Sequence, residues 1–117
     1  MSILCWNCRG LGNPRAVGTL RFLRRTRRPR LLFLSETLAS KEEMEVLRLS
    51  LRYGGCFTVA NQGHSGGLAL LWEDELQVSL LSFSKNHIDV SIDNWGSNQW
   101  RFTGFYGFPA TSERHRT

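Results

Sequence analysis

The sequence predicts a layered α/β (α+β) domain in which two helices pack on one mixed sheet. Three features predict it. Two apolar runs, residues 2 to 7 and 31 to 34, are strand-sized and each is followed by a polar group, Asn7 and then Glu36. Two segments with helical spacing alternate with these runs. From Phe57 onward, short strand-like runs are separated by polar turns. The order β-α-β-α followed by a β-meander fits a layered domain with a mixed sheet.

Residues 2 to 7 read as a buried strand. Arg9-Gly10-Leu11-Gly12 is a loop, and Asn13-Pro14 opens a helix with proline in its first turn. Between Arg15 and Arg28, Val17, Leu20 and Leu23 recur at a three-residue step and mark the buried face. Pro29 stops this helix. Leu31 to Leu34 is continuously apolar, as in a strand covered on both faces. Ser40 and Glu43 form a capping box for a second helix running to about Leu51, with Met44, Leu47 and Leu51 inward. Tyr53-Gly54-Gly55 ends it. Further strands are expected at Phe57 to Ala60, Leu68 to Trp72, Leu76 to Phe83, Ile88 to Ile92 and Trp100 to Tyr106. The segment from Pro109 to Thr117 reads as a polar tail.

The chain of 117 residues is enough for one small domain spanning 1-117, and a hydrophobic content of 41% supports a core. No apolar stretch reaches membrane-spanning length, and the N-terminus lacks the pattern of a secretory leader. A nuclear or cytoplasmic protein, not secreted and not in a membrane, is therefore expected. Three cysteines argue against a disulfide framework. Cys5 and Cys8 form a Cys-x-x-Cys with no second pair at zinc spacing and no helix directly after it, so buried structural cysteines are expected. The first 35 residues hold eight arginines and no acid, whereas the other 82 hold seven basic and ten acidic residues. A basic front half points to a polyanionic partner such as nucleic acid.

Glu36 closes an apolar strand, where a carboxylate needs solvent, a partner or a cation. It suits a hard metal such as Mg²⁺, and equally a solvated strand terminus or helix cap. Asn7 can orient a metal-bound water or form an Asx-turn into the next loop. Arg9, Arg24 and Arg25 are candidate phosphate contacts, although much of the arginine run from Arg21 to Arg30 lies on the solvent side of the helix. Gly63-His64-Ser65-Gly66-Gly67 is only loosely like a phosphate-cradling loop, since it has no lysine and precedes a strand. Tyr106 can donate its hydroxyl to a phosphate oxygen or simply pack in the core.

Five motifs in order resemble the endonuclease/exonuclease/phosphatase superfamily. They are Ile3-Leu4-Cys5-Trp6-Asn7-Cys8-Arg9-Gly10-Leu11-Gly12, Leu32-Phe33-Leu34-Ser35-Glu36-Thr37, Ser65-Gly66-Gly67-Leu68-Ala69-Leu70-Leu71-Trp72, Ser84-Lys85-Asn86-His87-Ile88-Asp89 and Trp100-Arg101-Phe102-Thr103-Gly104-Phe105-Tyr106-Gly107. The resemblance is strongest to the endonuclease domain of plant non-LTR retrotransposons. It implies a four-layer αββα sandwich and metal-dependent hydrolysis of a phosphodiester, with DNA as the expected partner. By the same resemblance Glu36 is a metal ligand, Asn7 supports the metal and phosphate, Tyr106 lies near the scissile phosphate, and the cofactor is Mg²⁺ or Mn²⁺.

The chain departs from that family in length. The Asp-x-Asn and terminal histidine elements do not follow Tyr106, Asp93-Asn94 precedes it, and His115 falls too early. The resemblance therefore implies the N-terminal half of the sandwich, with the second sheet missing and catalysis absent in the isolated chain. Losing that sheet would strip burial worth ~1.5–3 kcal/mol from each of several side chains, against a whole-domain stability of ~5–15 kcal/mol. A second chain covering the exposed sheet face is the implied remedy. The rival readings are a non-catalytic basic nucleic-acid-binding module and a decayed retroelement fragment.

Overall fold

A computed structural model describes residues 2–60, 66–93 and 99–106, together with the backbone of 111–115. Along the chain run β1 (Ile3–Asn7), α1 (Pro14–Arg27), β2 (Leu31–Ser35), α2 (Lys41–Leu51), β3 (Gly55–Val59), β4 (Leu68–Trp72), β5 (Gln77–Ser84), β6 (His87–Asp93), β7 (Gln99–Phe105) and β8 (Thr111–His115). Neither helix is long and apolar enough to cross a membrane.

The first sheet has the order β1-β2-β4-β3. β1 and β2 are parallel, with Ile3 opposite Leu31 and Asn7 opposite Ser35. β4 runs antiparallel to both β2 and β3, so the sheet is mixed. Side chains alternate across a strand, and here both faces are buried. Leu32, Leu34, Ala69 and Leu71 meet Leu20 of α1 and Met44, Leu47 and Leu51 of α2. Leu31, Phe33, Leu68 and Leu70 point the other way and meet Ile88, Val90, Ile92 and Phe102. This double burial is why β2 and β4 are continuously apolar.

That second set of partners corrects one expectation. Only the first two strands of the meander, β3 and β4, join the first sheet: β5-β6-β7-β8 forms a separate antiparallel sheet that covers the inner face. The face expected to need another chain is already packed. The reason is legible in the side-chain period. Ile88, Val90 and Ile92 alternate with polar residues, as do Trp100 and Phe102, which is the pattern of a sheet covered on one side only. The polar tail also needs correction, because Thr111–His115 pairs with β7, placing Phe102 opposite Ser112. Backbone hydrogen bonds make this strand without an apolar period to announce it.

The helices form for the expected local reasons. The Asn13 side chain accepts from the Arg15 N–H, with Pro14 in the first turn of α1. Ser40 and Glu43 make the reciprocal capping box of α2. Both helices end on an arginine in the left-handed region, Arg28 at φ 48° and Arg52 at φ 61°. The buried stripe of α1 is Ala16 and Leu20, with Val17 and Leu23 half-buried, a small rotation from the expected face. Cys8 is buried and Cys56 half-buried, but Cys5 is exposed, which corrects its reading as a buried structural cysteine.

On the outer face of the second sheet, Asp89 is buried and held by Arg101 at 2.7 and 3.0 Å and by the Thr103 hydroxyl at 3.0 Å. On its inner face, Gly104 lies against Phe33. A Cβ at position 104 would stand 2.6 Å from the Phe33 ring, which is itself buried and lies 5.7 Å from the Phe102 ring centroid. Only glycine allows the two sheets to meet this closely. Gly104→Ala should destabilise the chain by ~1–3 kcal/mol, the usual range for overpacking, despite alanine's lower backbone entropy. Urea unfolding checks this, and an unchanged midpoint would show that the sheets separate freely.

Candidate functional site

Because β1 and β2 are parallel, their carboxyl ends lie at the same edge of the sheet. Asn7 ends β1 opposite Ser35, and Glu36 follows Ser35 directly. Backbone bonds hold the two exits together: Cys8 N–H donates to Ser35 O, Gly10 N–H to Glu36 O and Leu11 N–H to Thr37 O, at 2.8 to 2.9 Å. On the other side, Thr37 and Leu38 N–H donate to the carbonyls of Gly67 and Gly66. Those glycines sit at φ 94° and 88°, so both take a conformation that a side chain would oppose.

The same segment carries unusual backbone. Glu36 and Leu38 lie in the left-handed region at φ 50° and 48°, and Arg9 across from them lies at φ 51°. Such residues cost on the order of 1–3 kcal/mol each and persist only where surrounding structure dictates them. Here five backbone bonds dictate the turn, and the result aims Glu36 out of the sheet edge.

Tyr106 reaches this edge from the second sheet. It follows β7, and its N–H donates to the Asn86 carbonyl at 2.7 Å. Its hydroxyl donates to Glu36 Oε1, joining residues 70 apart in sequence. Glu36 and Tyr106 are thus brought into contact at one end of the paired sheets. Asn7 is adjacent and exposed, and its Oδ1 accepts from the Arg9 N–H at 3.0 Å. This is the Asx-turn, and it leaves the amide a second lone pair and both N–H donors.

Electrostatics follow from the contacts. The Glu36 carboxylate, first by its hydrogen bond, holds the Tyr106 phenol above its ordinary value. Burial, helped by the same carboxylate, pushes the Cys8 thiol up to about 12. Burial and the carboxylate thus both favour the neutral Cys8 thiol. Beside Glu36, Thr37 is fully buried and its hydroxyl has no hydrogen-bond partner. Residue patterns offered no signal for this orphaned group.

Among the described residues no cluster of three or more His, Cys, Asp or Glu side chains could close around a metal. The donors present are a carboxylate and an amide oxygen, the hard oxygen type that Mg²⁺ or Mn²⁺ prefers and not the sulfur and nitrogen set of a closed zinc site.

The arginines divide. Arg24 is committed inside the protein. It pairs with Glu73 at 3.1 Å, donates to the Pro29, Leu51 and Arg52 carbonyls and lies 4.0 Å over the Tyr53 ring. Arg9 and Arg25 are exposed. His64 lies outside the described residues, and His115 is placed by its backbone alone.

No protein family and no curated protein matches the sequence. Solved structures do. The 3′ phosphatase NExo (D146N) from Neisseria, bound to a product DNA hairpin, superposes with a TM-score of 0.54 at 18% identity over 80% of this chain. The fold of this chain resembles part of the fold of that protein, which belongs to the endonuclease/exonuclease/phosphatase superfamily. A humanized D. rerio TDP2 carrying 14 mutations gives a TM-score of 0.55 at 16% identity over 82% of this chain. The chain covers only 38% of the NExo chain and 43% of the TDP2 chain. At these identities the likeness is one of fold.

The sequence has two tyrosines, which makes the Glu36–Tyr106 bond measurable. Burial raises Tyr53 to about 12. In Glu36→Gln, Tyr106 should titrate back toward its ordinary value of about 10 while Tyr53 stays high. The bond's stabilisation is present below the phenol's unfolded value and is lost as pH rises through its higher folded value. Phenolate absorbance against pH checks this, and two unchanged steps would show that the bond is absent in solution.

Proposed function

We propose that this chain supplies one half of a phosphodiesterase site acting on DNA, with Glu36, Asn7 and Tyr106 as its working groups. The observation that carries the reading is the Glu36–Tyr106 contact at the carboxyl end of a parallel strand pair. Open α/β sheets bind ligands at such an edge. The fold shared with a 3′ phosphatase bound to a DNA product supports the same class of chemistry. The five ordered motifs support the finer likeness to plant retrotransposon endonuclease domains.

A bound Mg²⁺ or Mn²⁺ would supply the positive charge that stabilises the phosphate as charge builds on its oxygens. Glu36 would hold it through its carboxylate, with the Asn7 amide oriented by the Arg9 turn. When a phosphate enters, the Tyr106 hydroxyl turns from Glu36 to a phosphate oxygen, and a phenol of ordinary pKa, about 10, keeps its proton at neutral pH. Arg9, on the loop beside Asn7, offers a guanidinium to the flanking backbone.

Among the described residues, the hydrogen bonds of Glu36, Asn7 and Tyr106 include no histidine and no second carboxylate that could take a proton from an attacking water. These residues are therefore proposed to hold cation and DNA, with turnover needing a proton acceptor from elsewhere. Supercoiled DNA with Mg²⁺ or Mn²⁺ should remain un-nicked by the purified chain. Mn²⁺ binding, read by its electron paramagnetic resonance signal, should weaken at least about tenfold in Glu36→Gln, the loss expected for one charge-assisted contact. Equal Mn²⁺ affinity in the two proteins would refute the site. Nicking that vanishes in Glu36→Gln would show instead that the site is complete.

A further inference from the structure

A cavity of about 570 Å³ opens between the C-terminal halves of the two helices. Arg21, Arg24, Arg25, Arg28 and Arg52 line it, with Glu73 as its one acidic wall. It lies beside Pro29, just before β2 begins, whereas Glu36 lies just after β2 ends. Five residues of strand put the two places on the order of 17 Å apart. We infer that this cavity is a second anion site, separate from Glu36, and that it takes a ligand bearing two or more adjacent phosphates.

The guanidinium groups are graded in freedom. Arg24 is the fixed floor, pinned by three carbonyls, Glu73 and the Tyr53 ring. Arg21 is anchored lightly, with one bond to the Ser50 hydroxyl at 3.1 Å that leaves most of its donors available. Arg25, Arg28 and Arg52 are exposed. Glu73 neutralises little of this charge, because Arg30 shares it at 3.3 Å. Arg21 and Arg25 are also four apart on α1, a spacing at which like charges repel.

The helix ends point the same way. Arg28 and Arg52 occupy the left-handed capping position, where glycine is the usual residue because it is unstrained there. The backbone N–H of each arginine closes its helix on the carbonyl four residues back, a role that uses no part of the guanidinium. Both place a cation at the rim of one cavity, where planar guanidinium groups can take phosphate oxygens two at a time. A single phosphate would answer one or two of these groups. The number of cations and the size of the cavity call for a polyphosphate, either free or as successive phosphates of a nucleic-acid strand.

Glycine at both caps is the decisive substitution, because it removes two charges while relieving strain. Tripolyphosphate binding would be measured by calorimetry at about 150 mM salt for the unaltered chain, Arg28→Gly/Arg52→Gly and Arg9→Gln, the last removing the guanidinium beside the Glu36 edge. The double variant should unfold no earlier than the parent and bind at least about tenfold more weakly, while Arg9→Gln binds as the parent does. Orthophosphate should bind far more weakly than tripolyphosphate. A single-stranded oligonucleotide that displaces tripolyphosphate would identify strand phosphates as a ligand, and one that does not would identify free polyphosphate. Undiminished binding by the double glycine variant, or no binding by the parent, would overturn the inference. Loss of binding in Arg9→Gln would assign the anion to the Glu36 edge and overturn it as well.

Discussion

The Phe33 ring occupies the space that any side chain at position 104 would need. That contact sets the distance between the two sheets, and the remaining geometry follows from it. Phe33 belongs to β2, three residues before Glu36, and Gly104 belongs to β7, two residues before Tyr106. Each functional group is therefore an extension of a strand whose position the Phe33–Gly104 contact fixes. A wider gap would leave the core layer between the sheets poorly packed and would also draw the phenol away from the carboxylate. Packing and site geometry are one constraint here, which is why a glycine in the middle of a strand, ordinarily a weakness, is favourable at this place.

How much of this could be read from the residues depended on whether a strand's environment left a period behind. β2 and β4 face apolar layers on both sides, so their runs are uninterrupted and visible. The capping box of α2 and the Asn13-Pro14 start of α1 are local chemistry and equally visible. The second sheet was recognisable strand by strand but not as a separate layer, because alternation reports that one face is covered without saying by what. β8 left no trace, since Thr111–His115 contains no apolar residue and its pairing with β7 is made by the backbone. At the site, Glu36 and Tyr106 stand out as polar groups ending apolar runs. Their contact is a tertiary fact that no spacing encodes, and the buried Thr37 hydroxyl has no sequence signal at all.

Backbone conformation sorts the molecule in the same way. Among the described residues, every non-glycine residue in the left-handed region falls at one of two places. Arg9, Glu36 and Leu38 surround the carboxylate at one end of β2, and Arg28 and Arg52 flank the arginine cavity at the other. The two ends also carry opposite chemistry, an oxygen-donor edge suited to a cation and a guanidinium-lined hollow suited to anions. No other described non-glycine residue takes a positive φ. Arg28 and Arg52 take theirs as helix C-caps, and the turn at Glu36 is imposed by the backbone bonds around it.

Glu36 has two claims on it, and their competition decides the resting state of the site. With no cation present, the carboxylate accepts the Tyr106 hydroxyl, a charge-assisted bond stronger than one between neutral groups. The pairing keeps a partly buried charge from standing unpartnered, and it ties the second sheet to the first at the sheet edge. Under the proposed function, a metal ion would have to displace or share that bond, so its affinity would be reduced by whatever the phenol contributes. A phosphate arriving with the metal would change the balance, because the phenol would gain a new acceptor as the carboxylate gains a cation. Both groups are satisfied when neither ligand is bound and would be satisfied again when both are. Cation and phosphate would then bind the edge cooperatively, with Tyr106 the group through which each favours the other.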